Sequence, residues 1–319
     1  MTRLRVSVFA LTVLCGASLW GQGSATSSTV DRAKLLEDLR LLSSDEMEGR
    51  AFGQAGGARA RAYLVRRFRE SGVLPIGDSY ERPVGSTDRA GARTGANVMG
   101  VIRGTARADR YIVFSAHYDH VGMRGGQVFN GADDNASGTA ALFGIAAYFR
   151  THPPTTSLLL VAFDGEEAGL VGSRAFVRAP PVPIGSILVN VNADMIGRDP
   201  RNLLFVVGTN RFPALRPFIE RVAARAPVTL RMGHEMPESR GEDDWTRDSD
   251  QYAFMEANIP ALYIGVEDYD QHHQPTDDFE TITYDFYVRA VDTIIEIVRE
   301  FDRGADALVA LRAGPAGVR

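Results

Sequence analysis

The sequence predicts an α/β fold in which a mostly parallel sheet is covered by helices on both faces. Strand patterns, short runs rich in branched and aromatic residues, alternate with helical patterns along the 319 residues, an order typical of parallel sheets. The run from Tyr111 to Ser115 is apolar almost throughout, as expected of a strand buried on both faces. No repeat or linker divides the pattern, so we expect one domain.

The predicted elements can be followed in chain order. Two amphipathic helices come first, one behind a Thr29 cap and one at about 58–70. The turn-rich stretch 75–95 has no regular pattern. Strands are predicted at 97–102, 111–115, 157–163, 186–192, 203–207 and 261–265. Further helices are predicted at 137–150, 172–177, 213–225 and 284–301, and the Ala- and Gly-rich residues 304–319 are expected to form a flexible tail.

The amino terminus has the order of a secretory signal peptide, which we predict over residues 1–25. Two arginines precede an apolar run, Val6 to Leu14, that is too short to span a bilayer, and small residues follow it. We therefore expect export to the periplasm or the extracellular space, no membrane span, and a mature domain over 26–303. Cys15 leaves a lipid-anchored alternative open. Because it is the only cysteine, the mature chain has neither a disulfide nor a cysteine nucleophile.

Composition excludes several classes of function. The net charge of −5 and the lack of a basic stripe give no support for nucleic-acid binding. Lys34 is the only lysine, and it lies in a plain amphipathic helix. Schiff-base chemistry and a Walker-type phosphate loop both need a lysine, so neither is expected.

Acidic residues and histidines follow four of the predicted strands, whose carboxyl ends meet at one edge of the sheet. The carboxylates gathered there would repel one another strongly, and no lysine is available to offset them. One divalent metal would offset only part of this charge. Two metals that share a carboxylate and a hydroxide would bring the cluster near neutrality. The carboxylates concerned are those of Asp133, Glu166, Glu167 and Asp194.

Five short motifs occur in order along the chain: Ser115-Ala-His117-Tyr-Asp119-His-Val-Gly, Gly131-Ala-Asp133-Asp134-Asn135-Ala-Ser-Gly, Asp164-Gly-Glu166-Glu167, Asn192-Ala-Asp194-Met and His273-Gln-Pro-Thr-Asp277. Together they resemble the co-catalytic dizinc aminopeptidases of metallopeptidase family 28. The resemblance covers most of the mature chain, including Leu42 to Arg50 near its start. It implies a three-layer αβα sandwich with a central mixed, mostly parallel sheet. It also implies two Zn²⁺ ions and peptide substrates with a free N-terminus, and it leaves the oligomeric state open.

The resemblance further implies a role for each motif residue. Glu166 would be the general base that takes a proton from a metal-activated water. Asp119 would hydrogen-bond the non-ligating nitrogen of the first histidine and fix its tautomer. A cis peptide bond would precede Asp134. Five residues would hold the metals: Asp133 as the bridge, His117 and Asp194 at one site, and Glu167 and His273 at the other.

Two features depart from the family. The residue before the last ligand is commonly a tyrosine that stabilises the oxyanion, but here it is His272, and Tyr269 is displaced by a small insertion. Either His272 or His273 could therefore bind zinc, and the His-x-Pro-x-Asp spacing favours His273. His120 and His234 are expected to be ordinary surface or supporting histidines.

Three functions compete. The first is an aminopeptidase. The second is carboxypeptidase or glutaminyl cyclase activity on the same scaffold, the cyclase using a single zinc. The third is a catalytically inactive binding protein, which the presence of every ligand and of the base disfavours. The acidic loop 235–250 is either a solvated loop or a rim that shapes the substrate pocket.

Overall fold

A computed structural model describes residues 29–88, 91–235 and 243–313 of the chain. The predicted signal peptide and Cys15 lie outside the described residues. The strands of the described part are β1 Leu74–Pro75, β2 Glu81–Asp88, β3 Gly91–Ile102, β4 Arg107–His117, β5 Gly122–Arg124, β6 Gln127–Phe129, β7 Thr156–Phe163, β8 Ile187–Ala193, β9 Leu203–Val207, β10 Thr229–Met232 and β11 Ala261–Gly265. Its α-helices are α1 Arg32–Leu42, α2 Ala55–Glu70, α3 Gly138–Thr151, α4 Val171–Arg178, α5 Arg216–Ala223, α6 Gln251–Glu256, α7 Tyr284–Arg303 and α8 Ala305–Ala313.

The central sheet is mixed, as expected, and has nine strands in the order β1-β3-β7-β4-β8-β11-β9-β10, with β2 paired to β3. The four central strands β7, β4, β8 and β11 run parallel to one another. Antiparallel pairs flank them, β3 against β7 and β9 against β11. β2 and β3 pair antiparallel, with Glu81 opposite Val98 and Asp88 opposite Gly91, so the expectation that 75–95 has no regular pattern is wrong.

Helices cover both faces of the sheet and complete the predicted sandwich. Along β4, Ile112 and Phe114 point to one face and Val113 to the other, and all three are buried. Side chains of α1, α2, α3, α5 and α7 share the apolar core of the first face, and those of α4 and α6 share the core of the second. In the described residues, no helix is both long enough and apolar enough to cross a membrane.

The chain after residue 303 continues as a helix, so the predicted flexible tail is wrong for residues 305–313. Ala305 and Leu308 of α8 are buried in the core, and Arg312 donates to the carbonyl oxygen of Asn258 at 2.7 Å. Alanine and leucine are strong helix formers, and these apolar contacts hold the helix in place.

Candidate metal centre

The carboxyl ends of the four parallel strands bring the candidate site together. These strands are neighbours in the sheet, so the residues that follow them meet at the same edge. β4 ends at His117, and the loop after β11 carries His273. Two groups of side chains form there, with the donor atoms of each group within 4.8 Å of one another: His117, Asp134 and Asp194 in the first group, and His120, Asp134, Glu167 and His273 in the second group.

Asp134 belongs to both groups and presents one carboxylate oxygen to each. Its Oδ1 lies 3.4 Å from Nε2 of His117, and its Oδ2 lies 3.2 Å from Nε2 of His273. The same nitrogen of His117 lies 3.2 Å from Oδ1 of Asp194, and that of His273 lies 3.0 Å from Oε1 of Glu167. A carboxylate that bridges two ions needs this arrangement.

Asp133, the residue expected to bridge, is a member of neither group, and the aspartate that the two groups share is Asp134. The Oδ1 of Asp133 accepts the backbone N–H of Gly197 at 2.6 Å and so holds the segment after β8. The two aspartates differ because they lie in an irregular turn, which points successive side chains in different directions. The cis peptide bond joins Asp134 to Asn135, one bond later than the resemblance implied.

His117 is oriented by a backbone carbonyl and not by a carboxylate. Its Nδ1 lies 3.1 Å from the carbonyl oxygen of Asp119 and 3.8 Å from the carboxylate of that residue. The Asp119 carboxylate instead accepts the backbone N–H of Glu166 at 3.0 Å. The expected hydrogen bond between the Asp119 carboxylate and His117 is therefore wrong. The main chain of Asp119 fixes the tautomer of His117, and the side chain of Asp119 positions Glu166.

Glu166 lines the same pocket as both groups but belongs to neither of them. Burial raises the pKa of Glu166 well above its ordinary value. Protonated His117 opposes this rise, whereas the carboxylates of Asp250 and Asp194 add to it. A carboxylate with a raised pKa accepts protons readily, which is the property that a general base needs.

Glu167, the next residue, behaves in the opposite way. Burial and Asp134 both raise its pKa, but His120 and His273 outweigh them and lower it to about 2. Glu167 is therefore ionised at any working pH, as a metal ligand must be. Two adjacent glutamates are thus suited to the two roles that the resemblance implied for them.

Of the two adjacent histidines, His273 is the one within the second group. The Nε2 of His272 lies 3.6 Å from Oδ2 of Asp134, and its side chain is 48% exposed. Tyr269 is also exposed, and its hydroxyl donates to Asp243 at 2.7 Å. His272 and not Tyr269 therefore lies beside the group.

Arg50 has a role that sequence reasoning missed. Its side chain is fully buried and makes no ion pair with a described residue. Three of the four carbonyls that it binds belong to the loop that leads into His120 and to the segment that leads into Asp134, so it fixes both, and the fourth is at the end of α1. Burial lowers the pKa of Arg50 to about 10, which leaves it charged at neutral pH. In the sequence, the role of Arg50 was indicated only by its position at the end of the motif Leu42 to Arg50. The guanidinium donates, at 2.6 to 2.9 Å, to the backbone carbonyls of Leu42, Tyr118, Asn130 and Gly131.

The donor set fits zinc. Every candidate ligand atom is an imidazole nitrogen or a carboxylate oxygen, and zinc accepts both. In the metal-free protein, hydrogen bonds with Asp134 and Glu167 raise the pKa of His273 to about 10. The pKa of His117 also lies well above its ordinary value, because carboxylates outweigh the lowering effect of burial. Protonated histidines thus supply positive charge where bound cations would supply it.

A pocket of about 520 Å³ opens beside both groups. Leu170, Met195 and Val266 contribute to its apolar wall. Trp245 belongs to the same wall and stacks on His234, with ring centroids 3.7 Å apart and planes at 6°. The described end of the acidic loop therefore lines the pocket, as the rim interpretation expected.

An αβα sandwich whose sheet edge holds two imidazole–carboxylate groups with a shared aspartate defines a zinc exopeptidase. The chain belongs to Peptidase family M28, whose family model matches residues 97–298. The family identified from the motifs is thus confirmed.

Curated relatives agree with this family. A probable zinc metalloprotease of Pyrenophora tritici-repentis (strain Pt-1C-BFP) is 27% identical over 268 residues, which cover 69% of this chain and 59% of the relative. The aminopeptidase NAALADL1 of Mus musculus is 33% identical over 115 residues, which cover 34% of this chain and 14% of that protein. This chain therefore spans well under the full length of both relatives.

Solved structures share the fold. A glutaminyl cyclase of an Acidobacteriales bacterium superposes with a TM-score of 0.71 at 21% identity, covering 89% of this chain and 99% of that one. BSAP, a zinc aminopeptidase from Bacillus subtilis, gives a TM-score of 0.66 at 16% identity and covers 85% of this chain and 95% of that one. At these identities the likeness concerns the fold alone.

Proposed function

We propose that this chain is an exported aminopeptidase that hydrolyses N-terminal residues from peptides with two zinc ions and Glu166 as general base. The observation that carries the proposal is the position of Glu166 in the pocket beside two ligand groups that share Asp134. A base placed next to a metal-binding residue, yet outside both ligand groups, is free to move a proton.

In the proposed reaction, the metal, the general base and the residue that positions the base have separate roles. When bound, zinc lowers the pKa of a coordinated water toward ~7 and polarises a carbonyl oxygen. Glu166 takes the proton of the attacking water and returns it to the leaving amine, a contribution of roughly 10²–10⁴ in rate. The hydrogen bond from the Glu166 N–H to Asp119 holds this base in place.

The charges around the pocket favour a substrate with an α-ammonium group. Glu166 and Asp248 line the pocket outside both ligand groups, and an ammonium would offset their charge. Arg198, the residue that could have bound a substrate carboxylate, pairs with Asp268 and with Asp277. It is therefore already engaged by acidic partners of the chain itself.

One observation favours carboxypeptidase activity as the second candidate. Arg247 lines the pocket, is exposed, and makes no ion pair with a described residue. It could bind the C-terminal carboxylate of a peptide. An adjacent acid, Asp248, reduces the positive charge that Arg247 presents to such a substrate.

An assay on blocked and free substrates separates the candidates. We expect leucyl- or alanyl-anilides to be cleaved, their N-acetylated forms to be inert, and Glu166→Gln to lose the activity. Turnover of acetylated peptides with a free C-terminus, weakened by Arg247→Gln, would instead support the carboxypeptidase. Mass analysis of a peptide with N-terminal glutamine identifies a cyclase, because cyclisation releases ammonia whereas hydrolysis adds water.

The export part of the proposal rests on the charged, apolar and small-residue order of the first 25 residues. We expect the chain to be trimmed between Gly21 and Ser28 in its native host. N-terminal sequencing of the purified protein tests this, and an intact Met1 or Thr2 on cytoplasmic protein would contradict it.

A further inference from the structure

We propose that His120 is a metal ligand, and that it makes the two ion sites unequal. The site formed by Asp134, Glu167 and His273 would then have four protein ligands, whereas the site with His117 has three. The inference rests on the two-metal centre of the proposed function but not on the identity of the substrate.

The first argument is the burial of His120 without a hydrogen-bond partner. The residue is 1% exposed. Its Nε2 has no hydrogen-bond partner among the described residues, and its Nδ1 contacts Glu167 at 2.9 Å without hydrogen-bond geometry. Buried polar groups are almost always paired, because leaving one unpaired costs free energy. A divalent cation is a partner that a buried ring nitrogen can bind.

The second argument is where the ring points. The Nδ1 of His120 lies 2.9 Å from Oε1 of Glu167 and 3.5 Å from Oδ2 of Asp134. The ring is not oriented to donate a hydrogen bond to either oxygen. These same two oxygens lie 3.0 and 3.2 Å from Nε2 of His273. Four donor atoms therefore surround one small volume, as ligands of a single ion do.

The surrounding backbone holds the His120 ring in this position. Arg50 binds the carbonyl oxygen of Tyr118, two residues before His120, and that of Gly131, which packs against the ring. Gly131 has a φ of 55°, and a Cβ atom there would lie 2.6 Å from Cγ of His120. The glycine thus leaves room for the ring and packs closely against it.

With His120 as a ligand, the two sites would differ in metal affinity and in their access to water. A zinc site with four protein ligands has fewer positions left for water than a site with three. The site with His120 would bind its ion first and more tightly. The site with His117, Asp134 and Asp194 would keep the open position, next to Glu166.

A metal titration of the full chain tests this division. Wild-type protein freed of metal should bind Zn²⁺ in two steps of different affinity. His120→Phe, which keeps a ring of similar shape, should weaken the tight step by at least about 100-fold, more than loss of a supporting partner costs. His152→Phe is the matched control, because His152 is exposed and stacks on Tyr148 away from the site. If the tight step weakens by less than about 100-fold in His120→Phe, the loss is no more than that of a supporting residue and the inference is wrong.

A measurement on the wild-type protein keeps the test decisive if His120→Phe does not fold. With cadmium in place of zinc and isotope-labelled histidine, we expect a scalar coupling between the metal and Nδ1 of His120. A coupling to His273 without one to His120 would overturn the inference and leave the proposed function intact. Couplings to both, with no release of N-terminal residues, would contradict the proposed function alone.

Discussion

The carboxylate of Asp277 accepts the backbone N–H of Asp134 at 3.0 Å, across 143 residues of sequence. This contact joins the loop that carries His273 to the turn that carries the shared ligand. The same carboxylate accepts the N–H of Asp133 at 2.9 Å and pairs with Arg198 at 2.8 Å. The relative position of the two ligand segments thus depends on the side chain of Asp277, which is not itself a candidate metal ligand.

We predict that Asp277→Asn weakens metal binding by roughly 10–100-fold, because an amide accepts less strongly and loses the charge that holds Arg198. Competition with a chelator measures this change. Asp270→Asn is the matched control, since that aspartate lies on the same loop but is exposed. Equal affinities in the two variants would contradict the positioning role of Asp277.

The adjacent glutamates should separate chemistry from metal binding. Glu166→Gln should keep both metals and lose about 10²–10⁴ in kcat, as a missing general base does. Glu167→Gln should instead weaken metal affinity, because it removes a charged ligand. Metal analysis and steady-state kinetics on both proteins check the pair, and each variant is the control for the other. Equal metal loss in both would mean that the two roles are assigned wrongly.

Trp245 should determine part of the side-chain preference. Its ring lines the apolar wall and meets Tyr263 edge-on, with ring centroids 5.7 Å apart. Trp245→Ala should lower kcat/KM for leucyl-anilide relative to alanyl-anilide by about 10-fold, the scale of a lost apolar contact in a binding pocket. Trp245→Phe should largely preserve the ratio. If Trp245→Ala leaves the ratio of the two kcat/KM values unchanged, the ring does not contribute to the side-chain preference.

Metal affinity should rise with pH. Hydrogen bonds with Asp134 and Glu167 raise the pKa of His273 to about 10, so this ring is protonated at neutral pH and must lose its proton to bind metal. Below that pKa, affinity should increase by up to about tenfold per pH unit for each proton displaced. Calorimetry in buffers of different ionisation enthalpy counts the protons released. A binding constant that stays flat between about pH 6 and about pH 8 would contradict this.

Sequence reasoning located the ligand strands because their apolar runs are unambiguous and parallel strands end at one edge. It gave the bridging role to Asp133, whereas the shared carboxylate is that of Asp134, and the motif does not separate the two because both are buried acids in one irregular turn. Which carboxylate turns toward the metals depends on Asp277 and Gly197, which lie far along the chain. A side-chain orientation that depends on residues far along the chain cannot be predicted from a local motif.

Two other misses have similar physical causes. β2 is largely exposed and pairs only with β3, so it contains few apolar residues. The alternation of apolar and polar residues that marks a half-buried strand is therefore weak in this segment. The burial of His120, which was expected to be an ordinary surface or supporting histidine, was missed because a short polar motif does not show burial. Only the folded chain shows its ring against Glu167 with no hydrogen-bond partner.

The metal content of two neighbouring variants tests the central claim most directly. Asp133→Asn keeps an oxygen that can accept the N–H of Gly197, whereas Asp134→Asn removes the charge shared by both groups. Elemental analysis after dialysis should find two zinc ions per chain in wild type and in Asp133→Asn, and close to none in Asp134→Asn. Two ions retained in Asp134→Asn, or both lost only in Asp133→Asn, would contradict the account.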